Sequence, residues 1–587
     1  MYRKAGRGIS SITGGQGMDT VGVDIEGCSA WNPGVRPNIP SEFRHLETIF
    51  HPDATVRTRA EVDEFASLTG MPHQELAAFQ ARRLALHELI IRITALVAVA
   101  EGAEEEEFGH NFRDVVLSIW SRYIEPRADG VERLYADLRA RIDRHTREIL
   151  EDALKTRTPS TPPPGFSVSR LWRRPPPSPA PEPDDQRRQR IISQFKATGL
   201  QERDPLRREI FRSLYRIACS MNGAHGQFLA NVDLLSRLVS AHAANSYGSQ
   251  VIGDAIAPLI DEAIEHEGYR RVSTQAAPVI FSLKGASAAG KSSLRPLLKQ
   301  MMQKQGIRPD AFITISPDVW RRLLLDYDAL GVARKYAGHL TGREVALIDA
   351  KLDRYIRDKA DREEAIPHVM LDRFRFDSFS SESVPRVLDV TYAKYVDTMH
   401  MYFIVTPPEE TVVRGWRRAL ERGRYKSVEE FLDHSVEAYT GMPKLLFRWL
   451  GYKTLRFRYH FLDNDVPKGA FPKLAAVGDQ QIMTIYDPLI LIAIERYQKI
   501  NIHATKPAEV YPAPPDMAPA RNLRLLKECI RHIPEVVFAR QRDGAPYLRV
   551  VRGSWEVVDG GVLQEALSDH EVAETLSSLS LVVAART

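Results

Sequence analysis

Apolar residues recur along this chain at two different periods, and the switch between them divides it. From about Pro40 to Leu154 they fall at helical spacing, as in Glu75-Leu-Ala-Ala-Phe-Gln-Ala-Arg-Arg-Leu-Ala-Leu-His-Glu-Leu. Helical spacing returns from about Arg190 to Tyr269, for example in Ile210-Phe-Arg-Ser-Leu-Tyr-Arg-Ile-Ala. From Val272 to about Asn501 short β-type runs alternate with helical stretches, the pattern of a parallel sheet covered by helices. Ten prolines fall between Pro159 and Pro183, a spacer composition that cannot belong to a packed core. A docking role for Pro175–Pro177 is the alternative to a plain linker. A second Pro-rich stretch, Lys506–Pro519, precedes a terminal helix, two strands around Asp543-Gly544, and a last helix.

This patterning predicts a poorly ordered segment at 1–40, a helical domain at 41–158, a Pro-rich linker at 159–189 and a helical segment at 190–271. An α/β domain follows at 272–501, then a linker at 502–522 and a small α+β unit at 523–587. A length of 587 residues agrees with several domains. Net charge is only +4, which gives no sign of bulk nucleic-acid binding. The three cysteines, Cys28, Cys219 and Cys529, are far apart and fit a reducing compartment. The apolar run Leu89–Ala100 is broken by Arg92 and too short to span a bilayer. With no apolar leader in Met1–Met18, the expectation is a cytoplasmic protein without a membrane partner.

The most informative chemistry stands where the first β-type run ends. Val279, Ile280, Phe281 and Leu283 lead into Gly285-Ala286-Ser287-Ala288-Ala289-Gly290-Lys291-Ser292-Ser293, a G-x-x-x-x-G-K-S loop. The two glycines let backbone N–H groups turn toward a polyphosphate. Lys291 adds a cation for the β- and γ-phosphates, and the Ser292 hydroxyl suits a Mg²⁺ ion. Leu294, Leu297, Leu298, Met301 and Met302 then repeat as a helix facing a sheet would, although Pro296 removes one donor. The strand–loop–helix context predicts ATP and Mg²⁺ as cofactors. The fold expected is an α/β P-loop kinase-like doubly wound parallel sheet, with a large all-α N-terminal region and a small α+β C-terminal unit.

Two acidic residues follow strand-like runs. Asp318 comes directly after Phe312-Ile-Thr-Ile, where it could orient an acceptor hydroxyl and take its proton, or simply cap a helix. Asp372 ends His368-Val-Met-Leu, which suits a second Mg²⁺ contact or a strand-end turn. Arginines crowd Glu421-Arg-Gly-Arg-Tyr-Lys-Ser and the helix before it, as in a lid over a triphosphate or on a solvated face. The run Glu104–Glu107 reads as a solvated loop. His73, His87, His110 and His400 stand in no metal-ligand spacing and read as structural or surface residues.

The loop, the Asp318-x-x-Arg321 segment, the Pro-x-Glu helix start and the arginine-rich stretch together resemble the zeta-toxin family of P-loop kinases, over roughly 276–465. The resemblance implies that Asp318 activates a sugar hydroxyl, that Arg418 and Arg424 contact the transferred phosphate, and that Lys291 and Ser292 hold phosphate and metal. It also implies a small acceptor such as UDP-N-acetylglucosamine. An inhibitory partner, separate or supplied by the helical region itself, is a further expectation. Two positions depart from the family: Ser316 replaces an acidic residue common there, and Arg373-Phe374 replaces Gly-Thr. The acceptor therefore stays unnamed. Two alternatives remain open: a polynucleotide 5′-hydroxyl kinase, suggested by Arg373, Arg375 and the nearby basic lid, and a regulatory NTPase acting through residues 41–270.

Overall fold

The computed structural model describes residues 27–102, 106–154, 183–226, 231–304, 306–373 and 394–580. The proline tract, Phe374 and Arg375 lie outside these residues. Val279–Lys284 (β1) is almost wholly buried, as a strand with parallel neighbours on both edges must be. Those neighbours are His368–Leu371 (β3) and Thr398–Val405 (β4). Phe312–Ile315 (β2) pairs parallel to β3, and Arg456–Asp463 (β5) pairs parallel to β4.

The sheet continues through Lys473–Asp479 (β6), Ile482–Ile485 (β7), Glu535–Ala539 (β8), Pro546–Val551 (β9) and Ser554–Val557 (β10). It holds ten strands in the order β10-β9-β8-β7-β6-β5-β4-β1-β3-β2. Pairing is parallel from β2 to β5 and again at β7–β8, and antiparallel elsewhere. The terminal strands thus extend the central sheet. The stretch 502–522 also packs: Val510 is buried with Val412, Phe431 and Leu432, and the Tyr511 hydroxyl reaches Glu409 at 2.5 Å.

The large helical part is organised around the Ala81–Leu96 helix. It is buried on nearly every side, as expected for a helix apolar around most of its circumference. It packs against the Ala128–Leu154, Ser249–His266 and Gly342–Glu363 helices. The last belongs to the sheet-bearing part, so both parts share one core. Polar groups cross this junction. Glu344, fully buried, accepts from Arg83 Nε at 2.6 Å and faces His87 Nε2 at 2.7 Å. Lys351 Nζ meets His87 Nδ1 at 3.2 Å and donates to Ser249 at 3.0 Å, and Ser249 donates to Glu88 at 2.6 Å. His87 therefore carries its proton on Nε2 and stays neutral; burial, then Lys351, push its pKa down to about 4. Among the described residues no helix is long and apolar enough to cross a membrane.

Residues 27–40 contribute structure as well. Val35 is buried with Tyr336, Leu340 and Tyr425, and the Arg36 N–H donates to the Tyr336 hydroxyl at 3.2 Å. Composition predicts poor order there because glycine and proline hide the few apolar anchors.

Candidate active site

The glycine-rich loop joins β1 to the Lys291–Lys304 helix, so the backbone turns at the carboxyl end of a central parallel strand. Gly290 has φ +96°, and a Cβ there would meet Asn464 Nδ2 at 2.2 Å. At Gly285 the limit is packing: a Cβ would come within 3.0 Å of the Ile404 carbonyl oxygen. Asn464 Nδ2 and Thr406 Oγ1 both donate to the Ala289 carbonyl, at 2.7 and 3.1 Å. Thr406 is held in turn by the Tyr439 hydroxyl, which accepts from its N–H at 2.9 Å. These side chains stand just past the ends of β5 and β4, and they hold the loop open from behind.

Lys291 is 9% exposed and donates to the Gly285 and Ala286 carbonyls at 2.9 and 2.7 Å. Burial pushes its pKa down to about 8, with Arg418 and Arg424 adding to the shift against the pull of Asp372 and Asp318. Ser292 Oγ donates to Asp372 Oδ2 at 3.1 Å, so the two residues chosen for metal do meet. The same carboxylate oxygen accepts from Ser316 at 3.4 Å and from Arg295 at 3.1 Å. The hydroxyl and carboxylate are hard oxygen donors of the kind Mg²⁺ takes beside phosphate oxygens and water. Among the described residues no group of three or more His, Cys, Asp or Glu is arranged to hold a metal. A cation here would therefore depend on Ser292, Asp372 and the nucleotide together.

Asp318 lies in the short turn after β2, on the same cavity as the loop. Its Oδ1 accepts from Arg321 Nε at 3.0 Å and its Oδ2 from Arg424 at 2.7 Å. Burial among protein groups would raise its pKa, but Arg424 and Arg321 outweigh that and hold the carboxyl far below the ordinary range. The side chain remains 46% exposed because it opens onto the cavity. Arg418 lines the same cavity from the Pro408–Arg422 helix. Of the residues proposed from sequence as catalytic, phosphate-binding or metal-binding, all but Gly285, Ala286 and Ala289 of the loop line this one cavity.

Arg373 lies between two carboxylates, Asp349 at 2.9 Å and Asp353 at 2.8 Å. Arg373 itself therefore adds no net basic patch, whereas the basic lid with Arg417, Arg418, Arg422 and Arg424 lines the cavity. Glu106 is exposed, in line with the solvated reading of its acidic run, and pairs with Arg422 at 2.8 Å.

Sequence reasoning missed several contributors. Arg295, 1% exposed, bridges Asp372 to Glu101, and Glu101 also pairs with Lys299 at 2.7 Å. Asn464 shapes the loop, and Lys426, meeting His434 at 3.0 Å, lines the cavity wall. His73, read as structural or surface, also faces the cavity. Nothing local marked Glu101, since its partners are almost two hundred residues away.

The cavity measures about 1060 Å³. No family model matches this chain. No curated protein matches it either. A solved structure from the PezAT chromosomal toxin–antitoxin system of the human pathogen Streptococcus pneumoniae is similar at 13% identity. The match covers 36% of this chain and 76% of that one, with a TM-score of 0.24.

Proposed function

We propose that this protein is an ATP- and Mg²⁺-dependent phosphotransferase that moves the γ-phosphoryl group of ATP to a hydroxyl of a small acceptor. The observation that carries the reading is the convergence of the Lys291 loop, the Ser292–Asp372 pair and the Asp318–Arg424 pair on one cavity. Loop N–H groups and Lys291 would cradle the phosphates, with Ser292 and Asp372 holding the cation. Bound there, Mg²⁺ would neutralise charge on the β- and γ-phosphates.

Asp318 would accept hydrogen from the acceptor hydroxyl. As the acceptor oxygen bonds to the γ-phosphorus, the bond to the β–γ bridging oxygen breaks, ADP leaves, and the proton passes to Asp318. Arg424 links the two halves of the site. While paired with Asp318 it keeps that carboxylate a poor base. Drawn to the γ-phosphate instead, it would stabilise the transferring group and raise the basicity of Asp318 at the same moment. Arg418 would add a second cation to the same charge.

The cavity is larger than the 300–1,000 Å³ usual for one small ligand, which suits a nucleotide and an acceptor side by side. The shared core and the buried Glu344 network speak against the helical region as a loosely hinged regulatory module. The test is a labelled-acceptor screen: the full chain is incubated with γ-labelled ATP, Mg²⁺ and a bacterial metabolite extract, and labelled products are identified by mass spectrometry. A labelled small molecule bearing a new phosphate ester is expected. A label that appears only as inorganic phosphate would refute phosphotransfer.

A further inference from the structure

One wall of the cavity comes from the helical part. Arg44, Glu47, Arg59, Asp63 and His73 line it beside Arg343 of the sheet-bearing part. Glu47 is only 4% exposed, and Arg343, Arg59, His73 and Arg44 all act on its carboxylate. Arg343 pairs with it at 3.4 Å. Asp63 receives both Arg59 Nε at 3.0 Å and His73 Nε2 at 2.8 Å. Three arginines therefore stand against two carboxylates.

Arg59 is preorganised. Asp63 fixes its Nε, and its guanidinium lies 5.9 Å from the centroid of the Phe50 ring. The pair with Asp63 uses Nε, and the two terminal nitrogens are the edge of a guanidinium that grips an oxyanion in bidentate fashion. The wall is also tied to the chemistry. Thr48 Oγ1 donates to the Leu340 carbonyl at 3.4 Å, and Arg321, the partner of Asp318, donates to Gly338 O at 2.6 Å and Thr341 Oγ1 at 2.9 Å. The wall thus adjoins the 338–341 segment, which also holds Arg321, the partner of Asp318.

We infer that the helical region supplies the acceptor half of the site, with Arg59 and Arg44 receiving a phosphate or carboxylate of the acceptor while its hydroxyl faces Asp318. The word acceptor rests on the phosphotransfer reading; the anion site on this wall does not. It gives the helical region a direct part in substrate choice.

The test titrates the full chain with inorganic phosphate by calorimetry, in wild type and in Lys291→Ala, whose loop has lost its phosphate cation. Phosphate binding should persist in Lys291→Ala. It should weaken by about tenfold or more when Arg59→Gln or Arg44→Gln is added, and recover in part with Arg59→Lys. Affinity for Mg·AMP-PNP should stay unchanged in Arg59→Gln and Arg44→Gln, because neither residue belongs to the loop. Equal phosphate affinity with and without both arginines would overturn the inference. So would phosphate binding that vanishes in Lys291→Ala alone. Failure of Mg·AMP-PNP to bind the wild type, with Arg59-dependent phosphate binding intact, would count against phosphotransfer and leave the anion site standing.

Discussion

Asp318 Oδ2 and an Arg424 terminal nitrogen lie 2.7 Å apart, which joins the turn after β2 to the arginine-rich stretch after the Pro408–Arg422 helix. The acid proposed to take the acceptor's proton is thereby paired with the cation proposed to meet the phosphate. Such a pair can separate only when something else satisfies the arginine, and a triphosphate offers more negative charge than one carboxylate. Arg424→Gln should therefore lower the phosphotransfer rate by roughly 10²-fold or more while leaving acceptor KM nearly unchanged. Steady-state kinetics at saturating ATP checks this.

The loop gives a prediction about nucleotide affinity and pH. Burial holds Lys291 at about 8, so it is half charged there, nearly fully charged well below, and loses its charge as pH rises through that value. Phosphate binding favours the protonated form, and affinity should fall above about pH 8, by up to tenfold per unit. Fluorescent-nucleotide titrations between neutral and alkaline pH should show this slope, and Lys291→Met should abolish it.

Gly290→Ala tests the loop's shape. The substitution strains a φ of +96° and drives a methyl group into Asn464, the side chain that holds Ala289. Nucleotide affinity should drop at least tenfold, with a stability loss of only about 1–2 kcal/mol from the backbone. A paired measurement of nucleotide binding and urea unfolding separates the two effects.

The buried junction predicts the behaviour of fragments. Removing residues 1–271 takes away Arg83, His87 and the Ala81–Leu96 helix, uncovering Glu344 and a face of the Gly342–Glu363 helix that is buried in the full chain. The fragment 272–587 should be poorly soluble or unfolded, so a change in its activity would not by itself reveal masking. In the full chain, Glu344→Ala should cost about 3–5 kcal/mol by urea unfolding.

The same junction sets a pH trend. His87 is held at about 4 in the folded chain against an ordinary 6.5. Between those values the unfolded chain binds the proton and the folded chain does not, so stability falls as pH drops from 6.5 toward 4. Glu344, also held low by Arg83 and His87 despite burial, adds loss in the same direction. Unfolding free energies across this range should show the decline, and a flat profile would contradict the neutral His87.

The sequence signals and their gaps have clear physical origins. β1, β2, β3 and β4 are legible because buried parallel strands read as continuous apolar runs ending in turn residues. β5 is not, since Arg456, Arg458 and His460 alternate with Phe457, Tyr459 and Phe461 and interrupt any such run. The loop and Asp318 are legible because their chemistry is local. Glu101 and Asn464 are not, because each acquires its position only through contacts distant in sequence. Arg373 shows the converse: it is conspicuous in sequence, yet Asp349 and Asp353 occupy it.

The central claim is that Asp318 serves the transfer step and not nucleotide binding. The most direct test measures transfer of labelled phosphate from ATP to acceptor by wild type and Asp318→Asn, with nucleotide affinity determined on the same preparations. The predicted result is a transfer rate lower by roughly 10²–10⁴-fold at nucleotide affinity within about twofold of wild type. Equal transfer rates in the two proteins would contradict it.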